Sequence, residues 1–145
     1  FVVTSDGLHG MEAAPSDSGP ATGVAWGCQG TVVGAYAQGI GSGARNTDAS
    51  IRGCGEPGIA AALADQYADP QTAYFDWHLP TKTDLTVMYF NLQLSGLGNF
   101  AVEGEAYWSS SEVDGQSAWA HFFSNGFQDP GSKSIQARVR AVRAF

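Results

Sequence analysis

The chemistry open to this chain rests on few charges: seven Lys and Arg against fourteen Asp and Glu, a formal net charge of −7 at pH 7. Lys133, Arg138, Arg140 and Arg143 fall close together near the C-terminal end, whereas Arg45, Arg52 and Lys82 are scattered upstream. Guanidinium groups recognise sulfate and carboxylate oxygens in a bidentate way, so a local basic patch on an acidic protein can hold an anionic ligand. Arg138 and Arg140 have a second possible role, pairing with nearby acids to stiffen a sheet. Lys133, in the polar stretch Gln128-Asp129-Pro130-Gly131-Ser132-Lys133, is expected to face solvent. The candidate ligand contacts are therefore Lys133, Arg138 and Arg140, followed by Arg45, Arg52 and Lys82.

Other chemistries find less support. Acyl transfer needs a nucleophile, a neighbouring base and an orienting group. Ser109-Ser110-Ser111 beside Glu112 offers the residue types, but serines after an aromatic strand more often serve turns and backbone hydrogen bonds. Glycoside hydrolysis needs two carboxylates facing across a cleft. Glu103, Glu105, Glu112 and Asp114 are candidates, yet nothing in their spacing selects a pair. A non-catalytic protein is the expectation. Glu112, Asp114 and Asp129 are the loop carboxylates that would serve calcium, although no run resembles an EF-hand, and no other cofactor is expected. Gly39-Ile40-Gly41-Ser42-Gly43-Ala44 lacks the Lys-Ser/Thr of a phosphate-binding loop and reads as a flexible surface loop.

The elements that must position these residues belong to one α+β domain spanning residues 1–145. A hydrophobic content of 43% over this length supports a real core. The low charged fraction, 14%, is more usual outside the cell. Net negative charge argues against nucleic-acid binding, and no apolar run reaches the roughly 20 residues of a membrane helix. Cys28 and Cys54 lack metal-ligand spacing and a nearby His, so a disulfide is expected, closing a loop of about 26 residues and contributing about 3 kcal/mol. The chain opens on Phe1 with no initiator Met, as a mature form or an excised domain would.

In chain order, Phe1 to Pro15 reads as a hairpin turning at Ser5-Asp6-Gly7, and Ser16 to Gly55 as mostly loop. A first helix is expected from Pro57 to Asp69, with Ile59, Leu63 and Tyr67 on one stripe. A second runs from the N-cap Thr81 to Ser95, with Asp84 completing a capping box and Gly96 as C-cap. Three strands should follow: one around Tyr107-Trp108, one from Ser117 to Ser124, and one from Ser134 to the C-terminus. Asp114-Gly115 and Asn125-Gly126 punctuate them. In the last strand Ile135, Ala137, Val139 and Ala141 alternate with Gln136, Arg138 and Arg140, and Phe145 is expected in the core. Trp77, Trp108 and Trp119 are read mainly as core, with sugar stacking as their other use.

Several blocks together resemble a known family. They are Asp76-Trp77-His78-Leu79-Pro80-Thr81-Lys82-Thr83-Asp84-Leu85, Leu97-Gly98-Asn99-Phe100, Tyr107-Trp108-Ser109-Ser110-Ser111-Glu112, Ala118-Trp119, Phe123-Ser124-Asn125-Gly126 and Arg138-Val139-Arg140-Ala141-Val142-Arg143. With the opening Asp6-Gly7-Leu8-His9-Gly10-Met11-Glu12-Ala13-Ala14-Pro15, they resemble the bacterial surface domains typified by the C-terminal domain of the Legionella collagen-like adhesin Lcl. The resemblance implies a C-type-lectin-like fold, an extracellular place on the bacterial surface, no enzyme activity, a homotrimer beneath a collagen-like stalk, and binding of sulfated glycosaminoglycans such as heparin-like chains. An acidic domain would do this through a local basic patch, multiplied by three in a trimer. The alternative is a trimeric protein-binding or stalk-capping tip that binds no glycan.

Overall fold

Turn chemistry builds the largest sheet. In the computed structural model, which describes residues 1–145, Asp114 Oδ1 accepts hydrogen bonds from the Gln116 and Ser117 amides, both at 2.8 Å. This turn folds β4 (Ala106–Glu112) back on β5 (Ser117–Phe122), and the Asn125-Gly126 turn leads on to β6 (Gln128–Ser132). Residues 128–132 were expected as a loop. They form a strand at the sheet edge, where Pro130 is tolerated because its missing N–H faces no neighbour.

The C-terminal segment does not form one strand. β7 (Gln136–Ala137) pairs with β3 (Val24–Ala25), and β8 (Val142–Ala144) pairs with β2 (Gly10–Ala13), which itself pairs with β1 (Val2–Val3). Between these pairings Arg138 bonds to β4 through both backbone groups: its N–H to Ala106 O at 2.8 Å, and its C=O from Trp108 N at 2.9 Å. The chain thus threads three antiparallel sheets together. The alternation expected there survives for Ala137, Val139 and Ala141, which are buried, but Ile135 is exposed. Phe145 was expected in the core and instead is 44% exposed, held by backbone bonds to Gly10.

Three helices flank the sheets. The one expected from Thr81 forms as α3 (Lys82–Asn91), followed by a 3-10 turn over Gln93–Ser95 and Gly96 at φ +69°. Its capping box is complete, with Asp84 N donating to Thr81 Oγ1 and Thr81 N to Asp84 Oδ2. The helix expected from Pro57 is shorter, α2 (Ala60–Asp65), because Gly58 takes a φ of +70° and delays the start. The third, α1 (Gly43–Gly53), lies where a loop was expected. Its buried face is Gly43, Asn46, Thr47 and Ser50, a helical stripe with no large apolar residue. Gly43 is required there: a Cβ would come within 2.4 Å of Leu79 O.

Trp26, Trp77, Leu79, Trp108 and Val139 pack with small alanines in one core cluster, and Met11, Leu85, Met88, Phe100, Tyr107 and Phe123 form a second. No helix is long and apolar enough to cross a membrane. Cys28 and Cys54 form the expected disulfide, with Cα atoms 5.6 Å apart, closing the loop that contains the whole of α1. Reducing this bond should lower stability by about 3 kcal/mol. Urea unfolding with and without reductant measures it, and coincident curves would mean that α1 is held by its other contacts alone.

Candidate functional site

The clustered C-terminal bases point inward. Lys133 is buried at 0% exposure, not solvent-facing as expected. Its ammonium sits 2.6 Å from Glu112 Oε1, donates to Thr31 O at 2.7 Å and lies 4.7 Å from the centre of the Trp26 ring. A lysine with an apolar stem and a buried acid to meet is drawn inside, and a ligand cannot reach it. Arg140 is 1% exposed; it pairs with Asp17 at 2.7 Å and donates to the carbonyls of Ala14, Gly98 and Asn99. Arg138 pairs with Asp17 and Glu105, and Arg143 with Glu12 and Asp76. The structural alternative weighed for Arg138 and Arg140 is what the geometry provides. Asp17 also accepts from the Tyr107 hydroxyl, whose pKa burial pushes up to about 12.

The remaining bases lie elsewhere. Arg45 and Arg52 project from the outer face of α1, separated by two helical turns, with Asp48 between them. Both arginines are exposed, and the Asp48–Arg52 pair (3.3 Å) is solvated on both sides. Such a surface pair is weak and open to exchange with a ligand anion. Arg45 has no carboxylate within ion-pair distance. Together with Gly34, Tyr36, Ala37 and Asn46 these side chains line an open groove of about 630 Å³. One wall is α1 and the other is the extended segment 34–37. Asn46 fixes their spacing, accepting from Ala37 N at 3.2 Å and donating to Ala37 O at 2.7 Å. Tyr36 is 52% exposed, an aromatic surface beside the guanidinium groups. Nothing in the local sequence marked Tyr36 or Asn46; a polar helical stripe at 43, 46, 47 and 50 was the available signal.

Lys82, the first residue of α3, is half-buried and has its ammonium 3.2 Å from the centre of the Trp119 ring. Trp77 and Trp108 are buried as expected, while Trp119 is only partly covered.

Ser109, Ser110, Ser111 and Glu112 are all buried and committed to structure. Ser109 Oγ accepts from Ser111 N, Ser110 Oγ from Asn46 Nδ2, and Ser111 Oγ donates to Ala37 O. Glu112 is held by Lys133 and by the amides of residues 33–35. Glu112, Asp114 and Asp129 do not converge into a cluster. Groups of metal-binding type come close together at Cys28, Cys54 and Glu56, where both sulfurs are tied up in the disulfide. Comparison with protein-family models and with curated proteins finds no match to this chain.

Two tests follow from these burials. Lys133→Met should destabilise the fold by about 3 kcal/mol, because it leaves the buried Glu112 charge without its cation. Chemical denaturation would detect this, and unchanged stability would show that the three amides suffice. Burial also lowers the His121 pKa to about 4, below its usual 6.5. The unfolded chain therefore takes up this proton first. The stability His121 contributes is present above pH 6.5 and should be lost between about pH 6.5 and 4. A His121→Gln variant should show a shallower loss over that window, and identical pH profiles would exclude His121 as the cause.

Proposed function

We propose that this domain is a non-catalytic adhesion module that binds sulfated polysaccharide in the groove beside α1. The observation that carries the reading is Arg45 and Arg52 on one exposed helix face, opposite the half-exposed ring of Tyr36. Arg45 and Arg52 leave the helix from positions about 11 Å apart along its axis, which suits an extended chain bearing repeated anions better than one small anion. Tyr36 can lie against a sugar ring through its apolar face and still offer its hydroxyl. The net charge of −7 does not oppose this at short range. Screening acts over about 8 Å at physiological salt, so distant acids contribute little in the groove.

A C-type-lectin-like description of the fold and an extracellular place on a bacterial surface belong to the same proposal. The helices set against antiparallel sheets support the first, and the disulfide, which persists in oxidising compartments, supports the second. A trimer would multiply the strength of a modest groove. A row of exposed apolar side chains, Phe90, Leu94 and Leu97, gives weight to the second reading, a protein-binding or assembly tip.

Binding to immobilised sulfated and unsulfated polysaccharides at low and high salt, with oligomer mass measured alongside, separates the two. The wild type should retain the sulfated chains and release them as salt rises. Arg45→Gln with Arg52→Gln should weaken this binding at least about tenfold and flatten its salt dependence, without loss of stability because both side chains are exposed. Equal affinity in the folded double variant would move the site away from α1. No binding to any of the chains at either salt concentration would favour the protein-partner reading.

A further inference from the structure

The wall of the α1 groove is tied to the start of α3. Ala37 O accepts from Ser111 Oγ at 2.7 Å, and the same hydroxyl accepts from Lys82 N at 3.1 Å. The start of α3 is thus two hydrogen bonds from the groove wall. A parallel tie, Thr83 N to Gln38 O at 3.3 Å, holds the same two segments together. Gln128 Nε2 donates to Lys82 O at 2.8 Å, so the Lys82 backbone is fixed from a third side, by the strand next to β5.

The side chain is not fixed in this way. Lys82 forms no ion pair, and its ammonium rests on the ring of Trp119. A cation on a partly solvated indole is weakly held and readily exchanged. Trp119 differs from the other indoles. Trp26, Trp77 and Trp108 are buried, and Trp26 and Trp108 donate to the carbonyls of Ser109 and Val24. Trp119 stands at the surface end of the β5 face on which α3 packs, beyond His121 and Phe123, which contact Tyr89 of α3. Of the seven bases, Lys133, Arg138, Arg140 and Arg143 are held inward by acids, which leaves Arg52, Arg45 and Lys82 to face an external anion.

We propose that Lys82 and Trp119 form a second subsite, which takes a further acidic sugar of a chain already lying in the α1 groove. The indole face carries the sugar ring, and the ammonium leaves the indole to meet its sulfate or carboxylate. The bound chain then runs from Arg52 past Arg45 and Ala37 to Trp119. This inference rests on the groove reading and adds to it a direction and a minimum length for the ligand.

Calorimetry with size-fractionated heparin oligosaccharides tests it, on the wild type, Lys82→Gln, Trp119→Phe and the Arg45→Gln/Arg52→Gln double variant, with thermal unfolding to confirm that each is folded. Wild-type affinity should rise with oligosaccharide length. In Lys82→Gln and Trp119→Phe the longer oligosaccharides should lose about tenfold, and the dependence on length should disappear. The longer ligands should also change tryptophan emission in the wild type and not in Trp119→Phe. If the length dependence and the emission change survive both substitutions, while the arginine double variant loses binding, the second subsite is wrong and the groove stands. If no oligosaccharide binds the wild type, the groove reading fails and the subsite with it.

Discussion

The buried pair of Lys133 and Glu112 is the interaction on which the rest of the site depends. Two charges removed from water are costly unless almost every donor and acceptor is used. Here the Glu112 carboxylate receives Lys133 Nζ together with the amides of Val33, Gly34 and Ala35 at 2.9, 2.8 and 3.3 Å. The ammonium takes Thr31 O as well and faces the Trp26 ring. Residues 31–38 belong to no helix or strand. Their course is set mainly by this carboxylate at the end of β4, by the Ala35 carbonyl that accepts from Glu112 N, and by Asn46. One wall of the groove is therefore an extended segment pinned by a buried ion pair.

Asp17 does comparable work on the other side of the molecule. It collects Arg138, Arg140 and the Tyr107 hydroxyl, and so joins the loop after β2 to the C-terminal segment and to β4. The electrostatic consequence is larger than the local one. Bases that look like a patch in one dimension are spent on internal acids, and the outward-facing positive charge moves to α1 and the start of α3.

Helix α1 shows how such a face is mounted without a hydrophobic stripe. Thr47 Oγ1 donates to Gly43 O and accepts from Leu79 N at 3.0 Å, while Asn46 pairs with both backbone groups of Ala37. Side-chain hydrogen bonds to neighbouring backbone take the place of apolar contacts, and Gly43 lets the helix lie directly on the Leu79 carbonyl and the His78 ring. The disulfide closes the loop around it. Position and spacing are set tightly while Arg45, Asp48 and Arg52 remain outside.

Local signals were strong enough for some elements. The Thr81–Asp84 capping box, the Asp114-Gly115 and Asn125-Gly126 turns, the strands at Tyr107 and Trp119 and the Cys28–Cys54 bond depend on residues close in sequence or on the scarcity of cysteine, and the sequence by itself determined them. Helix α1 was not legible, because its packed face is polar and apolar periodicity is the signal for helices. The fate of Lys133 was not legible either, and for Arg138 and Arg140 the sequence left acid pairing and ligand contact both open. Alternation along a strand tells which residues share a face, but not whether that face meets water, and here a second layer bearing Asp17 covers it. Which charges are neutralised depends on partners such as Glu112 and Asp17, one of them more than a hundred positions away in sequence. Only the tertiary structure could decide that, because ion pairing is governed by distance in space and by exclusion of water, and neither is written in the order of the residues.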